Sequence, residues 1–382
     1  MLHMGNIKSL LFILILFFIQ KIDAQDRIIT TGVPFLMITS DARAAGMGDI
    51  GAATSSDVFS QQWNPAKYTF ISASSGVGLS YTPYLSKLVN DIFLGNLTYY
   101  KKLNERSSWA SSLKYFSLGD VQFNQVIAGS IIDQGVERPN ELTLDLSYSL
   151  KLSERFSMAV AARYIRSDLK LASDSDNNSA NSLGIDIAGY YQSKSFTLKG
   201  LSSIFRSGFN ISNIGPRLKY DEGGKQNFIP TNLRVGNGLE VSLDDANVMS
   251  FSLEFNKLLV PTPIAIYDDM NNFLGYEQPD ISFLRGIISS FNDAPDGIKE
   301  ELKEITWAFG FEYLFQNTFS LRTGYFNESK IKGSRRYITF GTGFNINQMD
   351  LNVSYLFSTS NVRSPLENTL RFSLAFNINE SI

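Results

Sequence analysis

From Ile305 to Phe315 every second residue is large and apolar: Ile305, Trp307, Phe309, Phe311, Tyr313 and Phe315. Between them stand Thr306, Ala308, Gly310, Glu312 and Leu314, which are small or polar with one exception. The pattern pauses at Gln316, Asn317 and Thr318 and resumes as Phe319, Leu321, Thr323 and Tyr325. A repeat of two residues places alternate side chains on opposite faces, so these segments read as strands. The cleanest run is Leu142, Leu144, Leu146, Tyr148, Leu150 and Leu152. Similar rows start near Ser75, Ile92, Trp109, Phe156, Asn181, Ile204, Asn232, Met249, Tyr337, Met349 and Leu370, which makes about fourteen strands in all. The stretch from Ser193 to Ser207 has the most blurred period.

The connections alternate as well. "KLNERS", "LSERF", "SLDDAN", "LFQNTF" and "NINQMD" are short, and much longer polar segments lie between them, the longest running from 257 to 303. An even number of antiparallel strands with short turns at one end and long loops at the other is the pattern of an outer-membrane β-barrel. Lipid then covers the apolar rows, and closure removes the strand edges that hydrocarbon cannot satisfy. The expected fold class is all-β transmembrane: a closed antiparallel β-barrel of about fourteen strands.

Composition sharpens this picture. Aromatic residues make up 13% of the chain, with 29 Phe and 17 Tyr. Mean hydropathy is −0.06, too polar for a bundle of membrane helices. Residues 1–24 read as a secretory signal peptide, with Lys8 ahead of an unbroken apolar run from Leu10 to Ile19 and a small-residue site at Ala24. The expected location is therefore the cell outer membrane, with its lipid as the first partner. A formal net charge of −3 provides no basic footprint for nucleic acid.

The chemistry available is narrow. There is no cysteine, and the single histidine, His3, lies in the expected leader. That removes histidine-based acid–base and triad catalysis and the usual zinc sites. Asp244–Asp245 and Asp268–Asp269 are paired carboxylates in turn-like contexts, where solvation is the ordinary fate. Asp174, Asp176 and Asn178 begin like a calcium loop, but Ile185 stands where the bidentate Glu belongs. No catalytic, cofactor or metal site is expected from these residues, although paired carboxylates remain chemically possible.

Residues 25–75 do not alternate. "GMGDIG" (Gly46, Gly48, Gly51) matches a dinucleotide-binding pattern literally but lacks the flanking strand and helix. Phe35, Phe59, Trp63 and Tyr68 are too apolar for a solvated tail, so 25–75 is expected to be a plug inside the barrel formed by 76–382. The motif residues of that plug are Gly46, Gly48, Gly51, Trp63, Asn64, Pro65 and Ala66.

In the loop 257–303, Ile281, Leu284, Ile287, Ile288 and Phe291 fall on one helical face. A second helix follows, with Asp293 as a cap, Pro295 in its first turn, and Ile298, Leu302 and Ile305 on one side. These faces could bury themselves over the barrel mouth or dock a partner. Lys330, Lys332, Arg335 and Arg336 put four cations in another loop, to be solvated or to meet an acidic partner.

"NPAKY", preceded by "GAATSSDVFSQQW", resembles the Asn-Pro-Ala signature of FadL-like barrels, which carry an N-terminal hatch in a fourteen-stranded lumen. "DARAAGMGDIGAATSSDVFSQQWNPAKY", "SYTPYLSKLVNDIFLGNLTYY" and "YSLKLSERFSMAVAARYIRSDLK" are similar to the PorV family of type IX secretion outer-membrane proteins. That resemblance implies a component that is not an enzyme and that binds the C-terminal signal domain of secreted cargo. Its implied partners are a giant translocon barrel, those cargo domains, and an attachment complex with a sortase-like protease. The alternative is a FadL-type transporter of hydrophobic small molecules.

Overall fold

The computed structural model describes residues 28–127, 130–169, 179–220, 225–360 and 364–378. Fourteen strands form its wall: β1 (Ser75–Pro83), β2 (Ile92–Lys102), β3 (Ser107–Leu118), β4 (Asn140–Lys151), β5 (Phe156–Asp168), β6 (Ala180–Gln192) and β7 (Leu201–Ile214). They continue as β8 (Asn232–Ser242), β9 (Asn247–Leu258), β10 (Thr306–Phe315), β11 (Phe319–Asn327), β12 (Arg336–Ile346), β13 (Met349–Ser358) and β14 (Leu370–Ile378). Each pairs antiparallel with the next, and β14 returns to β1 in the register Ser75 with Ile378, so the sheet is closed. The blurred region resolves into β7 and a three-residue strand, Phe196–Leu198, folded back on its start.

Alternation has the sense that lipid demands. On β4, Leu144, Leu146 and Tyr148 are half-exposed, pointing outward, while Thr143, Asp145, Ser147 and Ser149 are buried. On β10, Trp307 and Phe309 face outward and Ala308, Gly310 and Glu312 inward. The greasy row of a barrel strand faces the solvent that tolerates it, and here that solvent is hydrocarbon. Among the described residues no helix is long and apolar enough to cross a membrane.

The end bearing the short turns is the inner end; the long loops define the outer end. Outside the ring stand a hairpin of Val121–Ile127 with Ser130–Glu137 and another of Ile264–Tyr267 with Phe273–Glu277.

The interior is occupied by residues 28–74. They form a 3-10 turn at Pro34–Met37, helix α1 (Ala42–Gly46), helix α2 (Ser60–Trp63) and a 3-10 turn at Pro65–Phe70. Many of the buried apolar side chains gather in four clusters, each where this segment meets wall residues. Phe35 packs with Phe116 and Ile165, Ile50 with Phe326 and Leu356, Tyr68 with Tyr100, and Ala66 with Tyr190. The molecule's core is thus the joint between segment and wall.

Candidate functional site

The luminal segment is held by hydrogen bonds to strands around the whole circumference. Ala42 N–H donates to Ser373 Oγ of β14 at 2.6 Å, and Gly48 N–H to Thr339 Oγ1 of β12 at 2.9 Å. Gly51 and Ala52 N–H both donate to Glu254 Oε2 of β9, at 2.9 and 2.8 Å. Asn210 Nδ2 of β7 donates to Trp63 O at 3.0 Å, and Ser157 Oγ of β5 to Ala66 O at 2.7 Å. A segment bonded to β5, β7, β9, β12 and β14 at once lies within the ring they close.

Charge reinforces the joint. Arg43 makes a forked contact with Glu312 of β10 (Nε to Oε2 3.1 Å, Nη2 to Oε1 2.9 Å) and reaches Asp57 at 2.8 Å. Arg322 of β11 holds the same carboxylate at 2.5 Å. Asp49 takes Arg371 of β14 at 3.0 Å and Tyr337 Oη of β12 at 2.5 Å. Two-pronged guanidinium–carboxylate contacts of this kind fix orientation as well as distance.

Of the plug motif residues, Gly51 meets Trp63 and Asn64 meets Ala66, while Gly46 and Gly48 lie against the wall. Gly48 has φ +82, a conformation that L side chains rarely adopt, and its backbone lies against Tyr325 and Gly324 of β11. Gly51 lies under the indole of Trp63, where an added Cβ would sit 2.3 Å from Cγ. Gly46 ends α1 and is buried. Trp63 Nε1 donates to Asp41 Oδ1 at 2.6 Å, and Arg234 covers its ring at 4.6 Å. Asn64 Oδ1 caps the next turn through Ala66 N–H, while its amide donates to Ala52 O and Gly189 O, both at 2.9 Å. Pro65 fits the first position of that turn, whose missing N–H costs nothing there. The "GMGDIG" backbone is spent on wall contacts, a packing role rather than a phosphate cradle.

The long outer loop holds helices α3 (Phe283–Ser289) and α4 (Ile298–Glu304). The face read from sequence is split: Leu284, Ile288 and Phe291 are exposed, whereas Ile281 and Ile287 are half-buried. α4 starts after Gly297, so Pro295 precedes it, and Asp293 accepts instead from Thr262 N–H and Oγ1 at 3.2 and 2.9 Å. Burial of Asp293 pushes its carboxyl above the usual range. Glu300, Glu301 and Glu304 of α4 are buried. Lys257 pairs with Glu301 and Glu304 at 2.9 and 2.8 Å, and Lys332 with Glu300 and Glu304 at 2.6 and 3.0 Å. The acidic face therefore points in, and Ile298 and Leu302 point out with 68% and 61% exposure.

This cluster was not visible in the sequence, because its charges come from β9, α4 and the loop after β11. The four-cation loop is also corrected: Lys332 is buried in the cluster and Arg335 pairs with Glu328 at 2.8 Å, so neither offers a free charge. Asp244 and Asp268 are turn caps: Asp244 accepts from Ala246 and Asn247 N–H, Asp268 from Met270 and Asn272 N–H. The Ala246 N–H and the Asn247 side chain hold the Asp244 carboxyl below its ordinary value, and the Asn272 side chain and N–H do so for Asp268. Asp174, Asp176 and Asn178, like the expected leader, lie outside the described residues.

Comparison with known proteins follows the same architecture. The family model described as "Type IX secretion system protein PorV" matches residues 21–265, more than half of the chain. No curated protein sequence matches. Among solved structures, the Pseudomonas putida toluene transporter TodX superposes with a TM-score of 0.51 at 13% identity, covering 89% of this chain and 98% of that one. The Ralstonia pickettii toluene transporter TbuX gives 0.50 at 11%, covering 91% and 100%. A Pseudomonas aeruginosa FadL homologue gives 0.48 at 10%, covering 90% and 99%. At such identities the likeness is one of fold.

Proposed function

Because the chain belongs to the PorV family of type IX secretion system proteins, we propose that it is a non-enzymatic carrier of secreted protein at the outer membrane. In this reading it binds the C-terminal signal domain of cargo leaving the translocon barrel. It then presents that cargo to the attachment complex with its sortase-like protease. Residues 1–24 serve as the leader that sends it there.

The observation that supports docking is the inverted loop. Leu284, Ile288, Phe291, Ile298 and Leu302 are each at least half exposed, while Glu300, Glu301 and Glu304 of the same segment are buried. Several large apolar side chains exposed on one loop beyond the strand ends favour a partner that covers them. A β-rich cargo domain provides such a cover, by packing or by adding a strand edge. The filled lumen argues against a general porin.

The test is a strain carrying the protein without Ile281 to Phe291, alongside a full deletion. Loss of many secreted proteins from the cell surface, and loss of cargo co-purifying with the barrel, is the expected result in both. Intact cargo binding and surface delivery in the loop variant would remove the loop from the reading. A full deletion that spares secretion and only abolishes growth on a hydrophobic nutrient would replace the reading with small-molecule transport.

A further inference from the structure

At the outer mouth, between the start of the plug and the upper ends of β2 to β5, lies an open cavity of about 440 Å³. Its size falls within the span of small-molecule sites, roughly 300–1,000 Å³. Val33, Phe35, Ile92, Phe116 and Leu118 line much of it. The aromatic part is well fixed: Phe35 stacks on Phe116 at 6.0 Å, and Tyr84 meets the same ring edge-on at 5.4 Å. Val33 and Phe35 are buried in the core cluster below, so the floor is anchored.

One acid interrupts this surface. Glu141, the second residue of β4, lines the cavity and is only 3% exposed. Ser167 Oγ donates to its Oε1 at 2.7 Å, and Ser167 in turn lies 3.2 Å from Tyr220 Oη. Among the described residues no lysine or arginine pairs with Glu141, and none lines the cavity. A carboxyl group buried against apolar walls with a single hydroxyl donor and no paired cation is costly to ionise, and a further donor from a ligand offsets that cost. The luminal acids differ: Glu312, Glu254, Asp145 and Asp186 each carry an arginine.

We propose that this cavity is a binding site for a small, mostly apolar molecule with one hydrogen-bond-donating head, ammonium or hydroxyl, directed at Glu141. The apolar body lies on Phe35, Phe116 and Leu118, and the head supplies a donor to Glu141 in addition to Ser167. An apolar acid is disfavoured, because it brings a second negative charge beside the first, with no lysine or arginine among the described lining residues between them. The site stands independently of the secretion reading, since it is made by the plug and β2 to β5 rather than by the long loop.

Three matched probes test it: 4-phenylbutylamine, 4-phenylbutan-1-ol and 4-phenylbutyrate, titrated at pH 8 into the full-length barrel in phosphatidylcholine nanodiscs. The expected order is amine, then alcohol, with the carboxylate at least tenfold weaker than the amine. Glu141→Gln should weaken the amine tenfold or more while the alcohol stays within threefold. Leu118→Trp, which fills the cavity, should abolish all binding; retained heat-dependent gel mobility shows that both variants fold. Carboxylate binding equal to that of the amine, or amine binding unmoved by Leu118→Trp, overturns the site.

Discussion

The plug and the long outer loop both bury clusters of opposite charge, yet they dispose of apolar surface in opposite ways. In the plug, Arg43 and Asp49 join the wall through Glu312 and Arg371, and the adjacent apolar side chains are buried in the same joint. In the loop, Lys257 and Lys332 draw the acids of α4 inward and leave Ile298 and Leu302 in the open. A buried ion cluster thus tells little about role, because both regions have one. The direction of the apolar side chains separates a part that completes the barrel from a part that turns apolar surface outward.

The most disruptive way to probe this contrast is Gly324→Ala. A Cβ there would sit 2.1 Å from Gly48 N and from Met47 C, so the plug cannot seat against β11. Overpacking of this kind costs about 3 kcal/mol. The strands should still close, with the heat-dependent gel shift retained, while conductance across a planar bilayer rises at least tenfold; unchanged conductance would mean the plug does not depend on this contact.

Lys332→Ala acts on the loop. Removing one member of a buried pair costs about 3–5 kcal/mol, here confined to the outer loop. Hydrogen exchange of residues 298–304 should accelerate by more than about a hundredfold, the factor that roughly 2.8 kcal/mol gives, with wall amides unaffected.

A matched pair sharpens the comparison further. Ile50→Glu places a charge in a plug cluster and should prevent plug seating, whereas Ile288→Glu should shift stability by no more than about 0.5 kcal/mol. The second variant is nonetheless expected to lose cargo in co-purification. Equal destabilisation by both would show that the loop face is covered by the protein itself.

The smallest effect is that of pH. The carboxyl of Asp293 is raised by burial. The folded loop then binds that proton more readily than the unfolded one. Its contribution to loop stability is full below about pH 3.9 and is lost as pH rises through the raised value. Asp293→Asn should flatten the dependence of exchange at 293–304 between pH 4 and 7, after correction for intrinsic rates.

The wall was legible because alternation is a local property: each of the fourteen strands corresponds to a row read from sequence, and the turn lengths gave the inner and outer ends. Trp63 to Ala66 could be singled out as a motif, yet their work depends on Asp41, Gly189 and Arg234, which no local pattern connects. The same holds for Lys257, Lys332 and the α4 acids, whose partnership exists only after the ring has closed. α4 illustrates a further limit. Its helical period was readable, but the period alone does not say which face turns inward. Two lysines from elsewhere decided that against the apolar side.

The path of residues 28–74 bears on assembly. They begin beside Phe116 and Phe228 at the outer mouth and end where Ser74 joins Ile378 at the opposite rim, so the polypeptide runs through its own ring. Such a thread must be in place before the seam between first and last strands is sewn, or be hauled through afterwards with its polar groups bare. Only the former route keeps them paired throughout, which makes the leading segment the mandrel on which the cylinder is wound.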